Sequence, residues 1–184
     1  MLRPPVFAPL SVAQCQARAQ ATAPALPRRM AAFMYEGVLL FGVLFVTGVV
    51  YALAMNQRHA MHDRNGLMVA LFLALAVYFI GFWHKHGQTL AMKTWHLKLV
   101  QANGLTPTPM QAALRFIASW LWFAPALLLS YLAHWHQTSQ YVAMLVVWMA
   151  VYAGLCLLLP RRQFLHDLLV GTRLIDTRND SSSP

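Results

Sequence analysis

The sequence predicts an all-α membrane protein, a bundle of four transmembrane helices with a small cytoplasmic β-hairpin-like or two-strand element. Composition supports this class, because 59% of the 184 residues are hydrophobic and only 10% are charged. A soluble domain has roughly 45–50% apolar and about 25% charged residues. The apolar residues also form four runs, each long enough to span a membrane.

The chain opens with residues 1–27, which are rich in Ala, Pro and Gln. Prolines in this stretch disfavour a long helix, and it lacks the continuous apolar centre of a secretory signal. We therefore expect a flexible cytoplasmic tail here. We expect a second, disordered cytoplasmic tail at residues 177–184.

The four apolar runs lie in a transmembrane domain that we assign to residues 28–176. At 1.5 Å per residue the first run is roughly 36 Å long, which is enough for a bilayer core of about 30 Å. Pro125 lies inside the third run, and we expect it to kink that helix. The predicted helices cover residues 31–55, 66–83, 110–132 and 141–159.

Two short segments have the pattern of strands rather than helices. Residues 95–100 alternate apolar and polar side chains for most of their length, which is typical of a strand. Residues 172–176 have a similar character near the other end of the chain. We predict that these two segments pair as a small sheet on the cytoplasmic face.

The distribution of Lys and Arg predicts the orientation. Twelve of these residues fall on the side of the two termini and two on the other side. Because cytoplasmic flanks of membrane helices are enriched in Lys and Arg, we expect a multi-pass protein of the bacterial cytoplasmic (inner) membrane with both termini in the cytoplasm. The net charge of +9 has the same origin, so membrane lipid is an expected partner and nucleic acid is not.

Charged residues at membrane depth are the candidate site. Each costs roughly 2.5–3.5 kcal/mol on insertion scales and therefore needs a reason. Glu36 lies inside the first helix, seven residues after Arg29, while Arg115 lies at a similar depth in the third helix and Asp167 follows the fourth. A carboxylate at this depth can bind a cation or exchange a proton. The alternative is a buried ion-pair network in which Arg115 neutralises Glu36, and the sequence leaves both open.

Other chemistries find little support. No G-x-S-x-G or H-E-x-x-H motif and no nucleophile–base pair is visible, so we expect no enzyme activity, no cofactor and no metal. Four histidines in the predicted outer loops match no zinc spacing, and we interpret them as polar residues at the membrane interface. They are His59, His62, His134 and His136.

Three segments of the chain resemble the RDD family of bacterial membrane proteins. The first has an arginine pair leading into the first helix and an acidic residue inside it. The second is a central loop that begins with Gly-Gln-Thr-Leu, and the third contains a His-Asp pair followed by Gly-Thr. In order, they cover residues 28–36, 87–100 and 162–172.

The family takes its name from one arginine and two aspartates, which by resemblance fall on Arg29, Glu36 and Asp167. Glu36 departs from the pattern, because the family usually has Asp there. The charge is kept, and the side chain is longer by one methylene. Ala91 also stands where a glycine is common.

The resemblance implies an integral membrane protein without an agreed biochemical activity, for which ion transport has been suggested. Our leading interpretation is a protein of the RDD type that transports protons or small cations through a site with Arg29, Glu36 and Asp167. The alternative is a non-transporting membrane module that binds a partner protein or lipid. A single four-helix bundle is small for a conducting pathway, so transport would require a homo-oligomer.

Overall fold

The structure is a computed structural model that describes residues 11–55, 64–135 and 137–178. It is mostly helical and contains one two-stranded sheet. The elements are α1 (Val12–Gln20), α2 (Leu26–Ala54), α3 (Arg64–His86), α4 (Leu90–Thr94), β1 (Leu97–Gln101), α5 (Pro109–Ser119), a 3₁₀ turn (Trp120–Trp122), α6 (Ala124–Leu132), α7 (Thr138–Leu155), a second 3₁₀ turn (Pro160–Arg162), α8 (Leu165–Val170) and β2 (Thr172–Asp176).

Three helices, α2, α3 and α7, are each long and apolar enough to cross a membrane. A fourth candidate span consists of α5 with its 3₁₀ turn and α6, which meet at a bend of 42°. Pro125 lies in the first turn of α6, where its missing amide hydrogen costs no helical hydrogen bond. The predicted helical membrane fold is confirmed, with three to four candidate spans.

The outer surfaces of these helices are apolar. Val38, Phe41 and Val77 are each at least 70% exposed, and many other large apolar side chains are exposed along the same helices. Soluble proteins rarely expose contiguous apolar patches of this kind. Such apolar surfaces are suited to contact with lipid rather than with water.

The helices pack in pairs, α2 against α3, α3 against α5, and α6 against α7. Two clusters of buried side chains form the core. One lies between α3, α5 and the sheet and includes Trp83, Leu99 and Phe116. The other lies between the first 3₁₀ turn, α7 and the segment before α8, and includes Trp122 and Phe164.

The two strands pair antiparallel, with Leu99 opposite Leu174, so the predicted sheet is confirmed. The side chain of Gln163 extends the pairing, because its amide donates to the carbonyl of Leu174 at 3.0 Å and accepts from the Leu174 amide at 2.9 Å. This contact satisfies backbone groups on the open edge of β2.

Helix α1 lies within residues 1–27, where we expected a flexible tail. The prolines of that segment flank the helix rather than interrupt it, and Ser11 caps it in a capping box with Gln14. Arg173 of β2 donates hydrogen bonds to the carbonyls of Ala19 and Ala21, which fixes the end of α1 against the sheet. We call α1, α4, α8 and the two strands the cap.

Candidate functional site

A cavity of about 550 Å³ lies next to the cap, between α2, α3, α5 and the segment that leads into α8. Most of its lining is apolar and aromatic, with contributions from Phe33, Leu75 and Phe79. Such a volume is in the range of ligand pockets, which is about 300–1,000 Å³. The charged and other polar side chains of the lining are Arg29, Glu36, Thr89, Arg115, Ser119 and His166.

Glu36 is buried and is held by two hydroxyl groups from other elements. The Tyr78 hydroxyl of α3 donates to its Oε1 at 2.6 Å. The Thr89 hydroxyl donates to its Oε2 and also accepts a hydrogen bond from the Met92 amide as the N-cap of α4. The carboxylate therefore joins α2 to α3 and to the cap.

No lysine or arginine of the described residues forms an ion pair with Glu36. Each carboxylate oxygen has two lone pairs, so one hydroxyl donor apiece leaves acceptor capacity unused. A buried carboxylate without a counter-charge is costly unless it carries a proton or meets a cation.

Arg115 pairs with Asp167 rather than with Glu36, so the ion pair considered as one of the two alternatives from the sequence is not the one that forms. Its Nε lies 2.7 Å from Asp167 Oδ1, and both side chains are buried. The reason is helix packing, because α5 packs against α8 and α3, whereas Glu36 of α2 contacts α3 and α4. The guanidinium also stacks on the Trp83 ring, 4.2 Å from its centroid.

His166 completes the network around this ion pair. Its Nδ1 lies 2.8 Å from the Tyr152 hydroxyl, and its Nε2 lies 3.4 Å from Arg115 Nη2. Burial lowers the pKa of His166 to about 4, so the ring is neutral near pH 7. A neutral ring accepts at Nε2 from Arg115 and carries its hydrogen at Nδ1, toward the tyrosine oxygen.

Arg29 is only 3% exposed and contacts the segment between α7 and α8. Its guanidinium donates to the carbonyl of Arg162 at 2.9 Å and to the sulfur of Cys156 at 3.3 Å. It also stacks on the Phe164 ring, 4.5 Å from the centroid. No carboxylate of the described residues pairs with it, and its Nε has no hydrogen-bond partner.

The structure therefore brings only two of the three residues proposed from the sequence to one cavity. Arg29 and Glu36 line one cavity, whereas Asp167 is not part of the lining and is held behind Arg115. Asp167 also accepts a hydrogen bond from the Thr172 hydroxyl at 3.4 Å. This carboxylate links α5, α8 and β2, and we propose that its role is structural.

The sequence model of the RDD family matches residues 23–171. The chain belongs to the RDD family. The match includes the first two segments that carried the resemblance and nearly all of the third. No curated protein and no solved structure matches this RDD chain significantly. Membership and the apolar helices together support a membrane protein.

Tyr78 and Thr89, which hold Glu36 in this RDD protein, were not among the candidates from the sequence. Thr89 had a signal, because a threonine before a short helix after a Gly-containing turn is a typical N-cap. Tyr78 lies in an apolar run, and only its depth in the membrane span distinguishes it from the other residues of that run. It is eight residues from the end of α3, or roughly 12 Å.

Within the described residues, no group of three or more His, Cys, Asp or Glu side chains is arranged to hold a metal ion. Three of the four histidines from the predicted outer loops, His59, His62 and His136, lie outside the described residues.

Proposed function

We propose that this RDD protein is a multi-pass protein of the bacterial inner membrane that moves protons or small cations by way of Glu36. The observation that carries the proposal is the setting of this carboxylate. It is buried among hydroxyls, has no basic partner in the described part of the chain, and lines a cavity. Ionisable groups with these features at membrane depth are typical of ion and proton pathways.

The two hydroxyl partners of Glu36 can hydrogen-bond both its ionised and its protonated form. Both Tyr78 and Thr89 can donate to an ionised carboxylate. A hydroxyl can also accept, so one of them can rotate to receive a hydrogen bond from the protonated acid. An arginine in the same place would hold the carboxylate permanently ionised, because guanidinium offers donors only.

The alternative of a purely structural ion pair at Glu36 loses its main support, because Arg115 is occupied by Asp167. The other alternative, a module that binds lipid or a partner protein, does not explain an uncompensated carboxylate in the cavity. Transport therefore remains the function that the geometry supports best.

Flux in proteoliposomes tests the proposal. Purified protein is reconstituted into vesicles that contain a pH-sensitive dye or, in parallel, a Na⁺-sensitive or K⁺-sensitive dye, and the dye response is recorded after the matching gradient is imposed. We expect flux with at least one gradient and its loss in Glu36→Gln. Glu36→Asp, which restores the residue usual in the family, is the matched control and should retain flux.

A second pair of variants separates the site from general effects of hydroxyl removal. Tyr78→Phe removes one donor to Glu36 and should reduce the rate of flux about tenfold, in line with an unsatisfied buried acceptor costing about 1–3 kcal/mol. Tyr131→Phe removes a hydroxyl from an exposed tyrosine of α6 and should change nothing. Unchanged flux in Glu36→Gln together with a lower melting temperature would show that Glu36 is structural.

A further inference from the structure

Arg29 is an uncompensated cation in the same cavity. Its side chain is nearly fully buried, and among the described residues it meets a carbonyl, a sulfur and an aromatic ring rather than a carboxylate. A buried charge without a counter-charge is costly. The Nε hydrogen, which has no acceptor, shows that the polar surroundings of this guanidinium are incomplete.

Trp83 supplies a second donor without an acceptor. Its indole nitrogen is buried, has no hydrogen-bond partner, and belongs to a residue that lines the same cavity. Arg115 also belongs to the lining, but its charge is met by Asp167. Two unpaired donors, one of them on a guanidinium that has no carboxylate partner, suit an anionic group with several acceptor oxygens, such as a phosphate diester.

Most of the remaining lining suits an acyl chain. It consists largely of apolar and aromatic side chains, mainly from α2, α3, α5 and the first 3₁₀ turn. Met34 and Val38 belong to the lining and are 67% and 70% exposed, so the cavity opens onto the apolar outer surface of the bundle. A lipid tail can enter from the bilayer through such an opening without crossing water.

We propose that this cavity binds one anionic phospholipid, with its phosphate at Arg29 and an acyl chain in the apolar lumen. The proposal goes beyond transport, because it does not use Glu36. That carboxylate is held by Tyr78 and Thr89 on the side of α3 and α4, whereas Arg29 contacts the α7–α8 segment. A zwitterionic headgroup fits less well, because its ammonium would bring a second positive charge next to the guanidinium.

Native mass spectrometry of the detergent-solubilised full chain tests the proposal directly. Phosphatidylglycerol and phosphatidylcholine with identical acyl chains are titrated separately. We expect one phosphatidylglycerol to be retained at about one-tenth of the concentration that phosphatidylcholine requires. Arg29→Gln should raise the phosphatidylglycerol requirement about tenfold. Arg161→Gln removes an exposed arginine that does not line the cavity and should leave the requirement unchanged.

A second pair of variants keeps the test decisive if Arg29→Gln fails to fold. Gly37 lines the cavity, and a Cβ at this position would meet no atom within 4 Å. Gly37→Leu should fill part of the lumen and lower phosphatidylglycerol retention at least fivefold. Gly42→Leu adds the same side chain to an equally open position of α2 outside the cavity, and it should retain the lipid.

Equal retention of the two lipids by the unmodified protein would overturn the proposal. So would equal retention in the two leucine variants. Because lipid retention is measured without any ion gradient, a chain that shows no flux can still bind the lipid, and a chain that transports can fail to bind it. The two proposals therefore succeed or fail independently.

Discussion

Glu36 and Asp167 are both buried carboxylates next to the cap, but their partners give them different roles. Asp167 faces a guanidinium at 2.7 Å and is fully buried. Glu36 faces two hydroxyls that can act as donor or acceptor. The same chemical group is thus a structural link in one place and a candidate for proton or cation exchange in the other.

The structural role of Asp167 makes a prediction about stability. Asp167→Asn leaves the Arg115 guanidinium buried without a counter-charge, and breaking such a pair from one side costs about 3–5 kcal/mol. We expect a large drop in melting temperature, measured by fluorescence in detergent. The control is Arg178→Gln, because the Arg178 side chain is 60% exposed and exposed ion pairs contribute about 0–1 kcal/mol. Equal melting temperatures for the two variants would contradict this role.

His166 makes stability depend on pH. Burial lowers the pKa of His166 to about 4 from the usual 6.5. Between these two pH values the unfolded chain binds a proton at this residue and the folded chain does not. Stability is therefore lost as pH falls from about 6.5 toward 4, by a total on the order of 3 kcal/mol. The melting temperature should therefore fall as the pH is lowered from about 7 to about 5.

The variant His166→Asn isolates this contribution. It removes the titrating ring, so its melting temperature should decline less over the same pH range, although the variant is less stable overall because the contact with Tyr152 is lost. A parallel decline in both proteins would assign the pH dependence to other groups.

At the scale of the elements, the docking of α1 on the rest of the cap depends on one glycine. Gly104 follows β1 with a φ of +83°, and a Cβ there would overlap the carbonyl oxygen of Cys15 in α1. Gly104→Ala should therefore displace α1. Because Cys15 is partly exposed and Cys156 is fully buried, the rate of maleimide labelling reports on α1 alone. We expect labelling to become several-fold faster.

The control for this variant is Gly171→Ala. Gly171 has a φ of +70° but open space around its missing Cβ, so the substitution adds similar backbone strain without the collision. Its Cys15 labelling should stay at the original rate. Faster labelling in both variants would mean that backbone strain, rather than the contact with Cys15, controls the position of α1.

The elements that the sequence predicted are those with a local signature. Hydropathy located the apolar helices, and alternation located β1 and β2 together with their pairing. Helix α1 also had a local signature, the Ser11–Gln14 capping box, but the flanking prolines outweighed it. The break before α6 agrees with the kink expected at Pro125.

The partners within the site could not be predicted in the same way. Sequence gives the depth of a residue in a span but does not say which spans are neighbours. Arg115 and Glu36 have similar depth, yet α5 lies against α8, and so Arg115 reaches Asp167. Depth likewise identified Glu36 as unusual, whereas its contact with Tyr78 depends on the packing of α2 against α3.

At the scale of the whole molecule, the described residues of one chain form a partly open cavity next to the cap, and no enclosed path along the helices is seen among them. Transport by this RDD protein would therefore use more than one copy, and we predict a homo-oligomer. Crosslinking in native membranes, with reagents that link nearby lysines and with cysteine-directed reagents, should recover a dimer or larger species. Recovery of monomer alone, under conditions that crosslink a known dimer in the same membranes, would contradict this prediction.

The contacts of the cap also bear on the orientation of the protein in the membrane. Arg28 pairs with Asp176, Arg29 contacts Arg162, and Arg115 pairs with Asp167. Basic residues of α2, of α5 and of the segment after α7 therefore lie at one end of the bundle. Excess Lys and Arg favour the cytoplasmic side. A periplasm-dependent phosphatase fused after Pro184 should therefore be inactive, and a fluorescent protein fused there should be bright. The same phosphatase inserted after Ala133, between α6 and α7, should be active, and activity after Pro184 instead would reverse the orientation.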